Sequence, residues 1–185
     1  MRATRRSFLG GCAAVTGPSY VKNGTFENGL DGWETDVSAN VSVDPNGGHN
    51  GAALKAKGNP DGWMRVCVKM GEAKDFSGDL LVRGWCKYEE VDPREPYMTP
   101  FCGLWAMLKD GNNDFNVSTT PFFMGNSGWQ KFERIVNGST LRRNVEKTAA
   151  KGRELDLTFR LNLSKQPGMV WLDDVEVLPI RRKAE

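Results

Sequence analysis

An all-β sandwich of two antiparallel sheets is the fold class this sequence predicts, and three observations predict it. Apolar and polar residues alternate along most of the chain, most cleanly at Leu155, Leu157, Phe159, Leu161 and Leu163. Turn-forming runs such as Asn23-Gly24, Asn28-Gly29, Asn59-Pro-Asp-Gly62 and Gln166-Pro-Gly168 punctuate the alternation. Only the segment 140–151 has helical spacing, with Leu141, Val145 and Ala149 at i, i+4 and i+8 and Ser139 as a candidate cap. Short strands between turn signals, with almost no helix, specify a sandwich.

The opening run, Val21 to Trp33, carries three glycines and two aromatic residues, and its two Asn-Gly pairs exclude a helix. It predicts a short apolar strand, a turn at Asn23-Gly24, a buried Phe26, a turn at Asn28-Gly29 and Trp33 pointing back into the body. Glu27 among these turns is either a hydrogen-bond acceptor or an oxygen ligand for a hard cation. Val37, Val41 and Val43 continue the β pattern, followed by the turn-rich loop Asp44 to Gly51 and a short strand at Ala52–Ala56. In Trp63–Met70 the residues Met64, Val66 and Val68 share one side. Asp79–Val91 is the longest strand, with Leu80, Val82, Gly84, Cys86 and Tyr88 toward the core and Arg83, Trp85 and Lys87 on the opposite face.

Three prolines between Asp92 and Pro100 exclude regular structure there. Phe101–Leu108 is a strand whose core parity is Leu104, Ala106 and Leu108. Phe115–Met124 is extended and interrupted by Pro121. Gly128–Val136, the alternating run 155–164 and Met169–Leu178 complete the set, and Arg181–Glu185 is a polar tail.

The 185 residues fit one domain with a tail, large enough to bury a core without disulfides. Removing Arg2, Arg5 and Arg6 from the 25 basic residues leaves 22 against 23 acidic ones. A near-neutral domain gives no electrostatic footprint for nucleic acid. Those arginines belong to Thr4-Arg-Arg-Ser-Phe-Leu-Gly10, which resembles the twin-arginine export signal of bacteria. Its apolar stretch, Phe8 to Val15, is too short to span a bilayer. Residues 1–18 are therefore read as an export signal or a disordered leader, 19–179 as the sandwich and 180–185 as the tail. The expected location is periplasmic, cell-surface or extracellular, with no transmembrane segment. Leu9-Gly-Gly-Cys12 also resembles a lipoprotein processing site, which would lipidate Cys12. Cys67, Cys86 and Cys102 allow at most one disulfide, and without a Cys-x-x-Cys spacing they read as small buried hydrophobes rather than zinc ligands.

The order of motifs then carries a resemblance. Asn23-Gly-Thr-Phe-Glu27 and Gly29-Leu-Asp-Gly-Trp33 come first, Gly48-His-Asn-Gly51 follows, Gly84-Trp-Cys-Lys87 lies mid-chain, Gly128-Trp129 opens a strand and Leu172-Asp-Asp-Val175 closes the domain. Residues 19–179 resemble the carbohydrate-binding modules of families four, nine and twenty-two. The resemblance implies a jelly-roll sandwich that binds polysaccharide in a cleft on its concave sheet without catalysing a reaction. It also implies one structural calcium ion, held by Thr25 and Glu27, the 47–50 loop including Asn50, and Asp173 or Asp174. Calcium takes six to eight oxygens, which carboxylates and carbonyls of glycine-rich turns supply. Asp110-Gly-Asn-Asn-Asp114 lacks the glycine and distal glutamate of an EF-hand and reads as an ordinary turn.

Sugar rings pack on aromatic faces while planar polar groups bond their hydroxyls. Trp85 and Arg83 on one strand and Arg160 and Asn162 on another leave the core, so they share a surface if their strands share a sheet. Trp105 joins them by its parity, and Trp63 and Tyr97 are candidates for the rim; for each tryptophan the alternative is core packing. Trp33, Trp129 and Trp171 occupy motif positions and read as structural. The stretch Arg142-Arg143 to Arg153 is more basic than the resemblance implies, either as a solvated face or as a contact for an acidic glycan. An enzyme is not expected: His49 is the single histidine, no nucleophile motif surrounds any serine or cysteine, and the Glu-x-Asp-x-x-Glu strand signature of one jelly-roll glycosidase family is missing. The competing class is an exported protein-interaction or surface-anchoring sandwich without a glycan ligand.

Overall fold

The computed structural model describes residues 13–92, 100–109, 114–149 and 153–182. Its strands in chain order are β1 (Ala13–Val15), β2 (Trp33–Thr35), β3 (Val41–Asp44), β4 (Ala53–Lys57), β5 (Arg65–Glu72), β6 (Asp79–Val91), β7 (Phe101–Leu108), β8 (Asp114–Phe122), β9 (Gly125–Val136), β10 (Leu155–Asn162) and β11 (Met169–Arg182). One sheet runs β3-β4-β11-β6-β9, with β1 added beside β11; the other runs β2-β5-β10-β7-β8. All the pairings between these strands are antiparallel. This is the two-sheet all-β sandwich that the alternation predicts.

The period of two explains the core. Val66 and Val68 of β5, Leu80 and Val82 of β6, Leu104 and Ala106 of β7, and Leu157, Phe159 and Leu161 of β10 are all buried in one cluster. Intervening residues therefore face outward from each sheet. A smaller cluster of Leu81, Leu178 and Ile180, with Ala13 and Ile135 packed on it, uses the opposite parity of β6 and so lies outside the six-stranded sheet. Cys67, Cys86 and Cys102 are free thiols. Cys86 and Cys102 are fully buried, as the sequence predicts, and burial pushes the Cys86 thiol up to about 12. Cys67 departs from that reading, because its parity on β5 turns it to the outer face, where it is half-buried.

Four features differ from the sequence reading. The sandwich begins before residue 19, since Ala13–Val15 pairs with Arg182–Ile180, and it continues past 179 because β11 reaches Arg182. Val21 is buried in a bend rather than a strand, its N–H donating to Ser19 Oγ at 3.2 Å instead of to a strand. The helix α1 (Gly138–Ala149) starts earlier than Ser139 allows, with Thr140 and Leu141 N–H donating to the Asn137 carbonyl. Gly138 N–H donates to Asp79 Oδ1 at 2.8 Å, which satisfies one of the open donors of the first turn. Leu141 is fully buried and Val145 packs on the core, so the i, i+4 spacing is the buried stripe. Arg142 donates to the Ser77 carbonyl at 2.9 Å, a contact that holds the helix to the turn before β6.

The opening run is held as the sequence suggests, by turns. The Asn23 side chain donates to the carbonyls of Gly29 (3.0 Å) and Asp31 (3.3 Å) and accepts from Asn28 N–H. Phe26 is fully buried against Trp33, ring centroids 5.0 Å apart. Trp33 in turn meets Phe159 edge-on at 6.0 Å, which ties the run to the five-stranded sheet.

Candidate functional site

The outer face of the five-stranded sheet gathers the chemistry. Register sets Arg65 opposite Asn162, Asn162 opposite Phe101, and Phe101 opposite Phe122. Strands lie about 4.8 Å apart, so this row crosses roughly 14 Å of sheet at right angles to the strands. Behind it come Cys67, Arg160 and Gly103, then Lys69, Thr158 and Trp105. Trp63 stands two residues before Arg65, in phase with it around the buried Met64, and extends the face at the β5 end.

The aromatic residues divide into fixed and free. Phe101 and Trp105 stack nearly parallel (9°) with centroids 5.4 Å apart. The outward position between them is Gly103, which has no side chain to separate the rings. Arg160 lays its guanidinium 4.4 Å from the centroid of a Trp105 ring, a cation–π contact. Trp63 and Phe122, by contrast, are 58% and 57% exposed, so their rings are open to a ligand.

The polar groups are held in place. Arg160 and Asn162 are almost wholly buried although they face outward. Ser164 Oγ lies 2.9 Å from Asn162 Oδ1 and donates to it, and Thr158 Oγ1 donates to the Trp105 carbonyl at 3.3 Å. Arg65 binds the Asp36 carboxylate through both Nε and Nη2, the latter at 3.2 Å from Oδ1. Lys69 pairs with Asp156 at 2.7 Å. The Trp105 indole N–H has no hydrogen-bond partner among the described residues. Burial raises the pKa of Cys67, and the Arg160 guanidinium beside it works against that shift. The face thus combines fixed polar groups with open aromatic rings at its two ends.

Four residues expected at a ligand face, Trp63, Trp105, Arg160 and Asn162, meet on this one. Trp85 and Arg83 do not, which corrects the expectation that all could share a surface. Strand β6 pairs with β11 and β9, whereas β10 lies between β5 and β7, so the two pairs of residues project from different sheets. Trp85 carries the His49 imidazole stacked on it, 3.7 Å between centroids at 10°. Arg83 is paired with Glu176 at 2.6 Å. Tyr97 lies outside the described residues. Phe101, Phe122, Arg65 and Cys67 were missed, although the parities assigned to β5 and β7 already turned three of them outward.

Of the residues expected to hold calcium, the side chains of Glu27 and Asp173 both reach the loop around Asn50, a clasp beside a backbone link between the two ends of the domain. Gly24 O accepts from Val175 N–H at 2.9 Å. Glu27 Oε1 accepts from Ala52 N–H at 3.1 Å, and Asp173 Oδ2 accepts from Asn50 N–H at 2.9 Å. Both carboxylates therefore grip the same loop. Asp173 Oδ1 also accepts from Asp174 N–H at 2.6 Å. Asp174 sits in the left-handed region (φ 49°) where the β11–β6 register slips, and its carboxylate turns toward His49 Nδ1, 3.9 Å away. Thr25 is exposed. Burial raises the pKa of Asp173, while the two N–H donors lower it. Among the described residues, no three His, Cys, Asp or Glu side chains group closely enough for a metal. An ion here would take Glu27 and Asp173 as its carboxylates and carbonyl oxygens for the rest, a donor set that suits calcium rather than zinc.

No family model and no curated protein matches this chain. Solved structures do match it. A tandem of family 22 carbohydrate-binding modules from Paenibacillus barcinonensis superposes with a TM-score of 0.55 at 16% identity, over 88% of this chain and 50% of that one. The family 11 carbohydrate-binding module from Clostridium thermocellum gives 0.51 at 13% identity, over 91% and 95%. The chain has the jelly-roll fold of carbohydrate-binding modules. That jelly roll is not confined to them: the enzymatically active domain of a bacteriophage CBA120 tailspike protein matches with a TM-score of 0.52 at 11% identity, over 86% of this chain and 21% of that one. At such identities the likeness establishes fold, and function must be argued from the site. No helix among the described residues is long and apolar enough to cross a membrane.

Proposed function

We propose that this chain is a non-catalytic carbohydrate-binding domain that holds a polysaccharide on the outer face of its five-stranded sheet. The observation that carries the reading is the row Arg65–Asn162–Phe101–Phe122 across four strands, with Trp63 at one end. A sugar ring offers an apolar C–H face and a rim of hydroxyls. Exposed Trp63 and Phe122 suit the first, and Arg65, held in place by Asp36, suits the second at small ordering cost, while the buried Arg160 and Asn162 fix the surface beneath. The lone histidine is stacked on Trp85 behind the other sheet, away from this face. The family 11 module of similar fold was solved with a β-1,3-1,4-mixed-linked tetrasaccharide, which supports the ligand class.

Affinity electrophoresis through gels containing β-glucan, xylan, mannan or an acidic polysaccharide tests the proposal. Retardation in at least one gel, with no sugar released, is the expected result. Release of sugar would make the protein an enzyme, and free migration in every gel would favour a protein-interaction domain. Cys67 supplies an independent check because it is the half-buried thiol on the proposed face. A retained polysaccharide should slow its alkylation several-fold, while the buried Cys86 and Cys102 stay unmodified with or without ligand. Unchanged Cys67 labelling at saturating ligand would argue for another face.

The reading includes export, supported by the twin-arginine-like residues 4–10, and one structural calcium at the clasp. Asp173 is a buried carboxylate whose charge is disfavoured by burial, and a cation beside it would offset that cost. Calcium at one hundred times its Kd would add about 2.7 kcal/mol, a rise in Tm of roughly 5–10 °C. Chelator should reverse the rise, and Asp173→Asn should abolish it. A Tm indifferent to both calcium and chelator would leave the clasp as hydrogen bonds alone.

A further inference from the structure

The short strand β1 lies inside the stretch read as a removable leader, yet it is stitched to the fold over its length. Ala13, Ala14 and Val15 pair with Arg182, Arg181 and Ile180. Thr16 N–H donates to the Pro179 carbonyl at 2.9 Å. The Ser19 hydroxyl oxygen accepts from Val177 N–H at 3.1 Å, and Tyr20 N–H donates to the Val177 carbonyl at 2.8 Å. The Tyr20 ring meets Phe76 edge-on, 4.7 Å between centroids. Ala13 packs on Leu81, Leu178 and Ile180, the apolar cluster outside the six-stranded sheet.

We propose that residues 13–20 are a permanent strap of the mature domain, so that any removal of the leader ends before Ala13. The proposal concerns where processing occurs and rests on the export reading given above. A cut near residue 18 would free the backbone groups of residues 179–182 that residues 13–16 now pair. It would also uncover the Leu81–Leu178–Ile180 cluster beside an open strand edge, the arrangement that promotes aggregation. A cut at the Leu9-Gly-Gly-Cys12 sequence leaves every one of these contacts intact.

The first test is the N-terminal residue of the protein isolated from its host, read by mass spectrometry. An N-terminus at or before Ala13 is expected, and one between Ala14 and Tyr20 would overturn the proposal. An unprocessed Met1 would instead remove the export reading and leave the strap standing. The second test uses the full chain. The Thr16 and Tyr20 amides should exchange with solvent as slowly as those of β6, and Thr16→Pro, which removes the donor to Pro179, should lower Tm by about 4 °C or more. Exchange at the rate of an unstructured peptide, or a Thr16→Pro chain that melts with the parent, would overturn it.

Discussion

Replacing Gly24 with alanine should lower the melting temperature by about 6 °C or more. A Cβ built at Gly24 would lie 2.0 Å from the Val175 carbonyl oxygen and 3.0 Å from its carbon. Both are backbone atoms of β11 at the register slip between Asp173 and Glu176, with the strand ladder resuming on either side, so they cannot swing aside as the end of a flexible side chain would. The same approach carries the bond from Val175 N–H to Gly24 O, so making room for the methyl also breaks the link between the two ends of the domain. Overpacking costs about 1–3 kcal/mol, a contact of 2.0 Å with a backbone oxygen belongs at the upper end, and each kcal/mol moves Tm by roughly 2–4 °C in a domain of this size. Gly128 is the control, because a Cβ there meets nothing within 4 Å. Thermal unfolding of both variants decides the matter. If Gly24→Ala melts with the parent, the close approach of residues 24 and 175 is not what holds the opening run.

The same run shows how far the sequence could be read. Asn-Gly pairs and a lone Phe between them fixed turns, a buried Phe26 and a Trp33 that turns inward, because those properties follow from local backbone chemistry. The pairing of Leu172-Asp-Asp-Val175 with the opening run came from the resemblance, and the geometry agrees with it through Gly24, Glu27 and Asp173. Alternation likewise identified which residues of β6, β7 and β10 leave the core. What alternation cannot encode is the sheet to which a strand belongs. Arg83 and Arg160 occupy the same kind of position on equally amphipathic strands, yet β6 lies beside β11 and β10 beside β5. That assignment depends on pairings between residues up to about a hundred positions apart, and no local pattern reports it. Sequence alone therefore groups Trp85 with Trp105, while Arg65 stands out only once β5 is known to flank β10, and Phe122 follows Pro121, where the alternation is interrupted. The strap failed to register for a different reason: Ala-Ala-Val is too short and too bland to signal a strand until its partner on β11 is known.

The difference between the two outer faces makes the sharpest test of the site. Trp63→Ala and Phe122→Ala should each weaken polysaccharide retention about 10- to 100-fold, equivalent to about 1.4–2.8 kcal/mol per ring. Both rings are more than half exposed, so their removal should leave Tm within about 2 °C of the parent. Trp85→Ala should do the reverse. It takes away the surface on which His49 stacks, and with it a support of the loop gripped by Glu27 and Asp173, so Tm should fall while retention is unchanged. Trp105→Ala sits between these cases. Its ring packs on Phe101 and under Arg160, so truncating it should both lower Tm and release the guanidinium from its fixed position. Measured together by affinity electrophoresis and thermal melting, the four variants assign the ligand to one sheet. Loss of retention in Trp85→Ala, with Trp63→Ala and Phe122→Ala unaffected, would move the site to the six-stranded sheet. The row across β5, β10, β7 and β8 would then be a packing feature and not a binding surface.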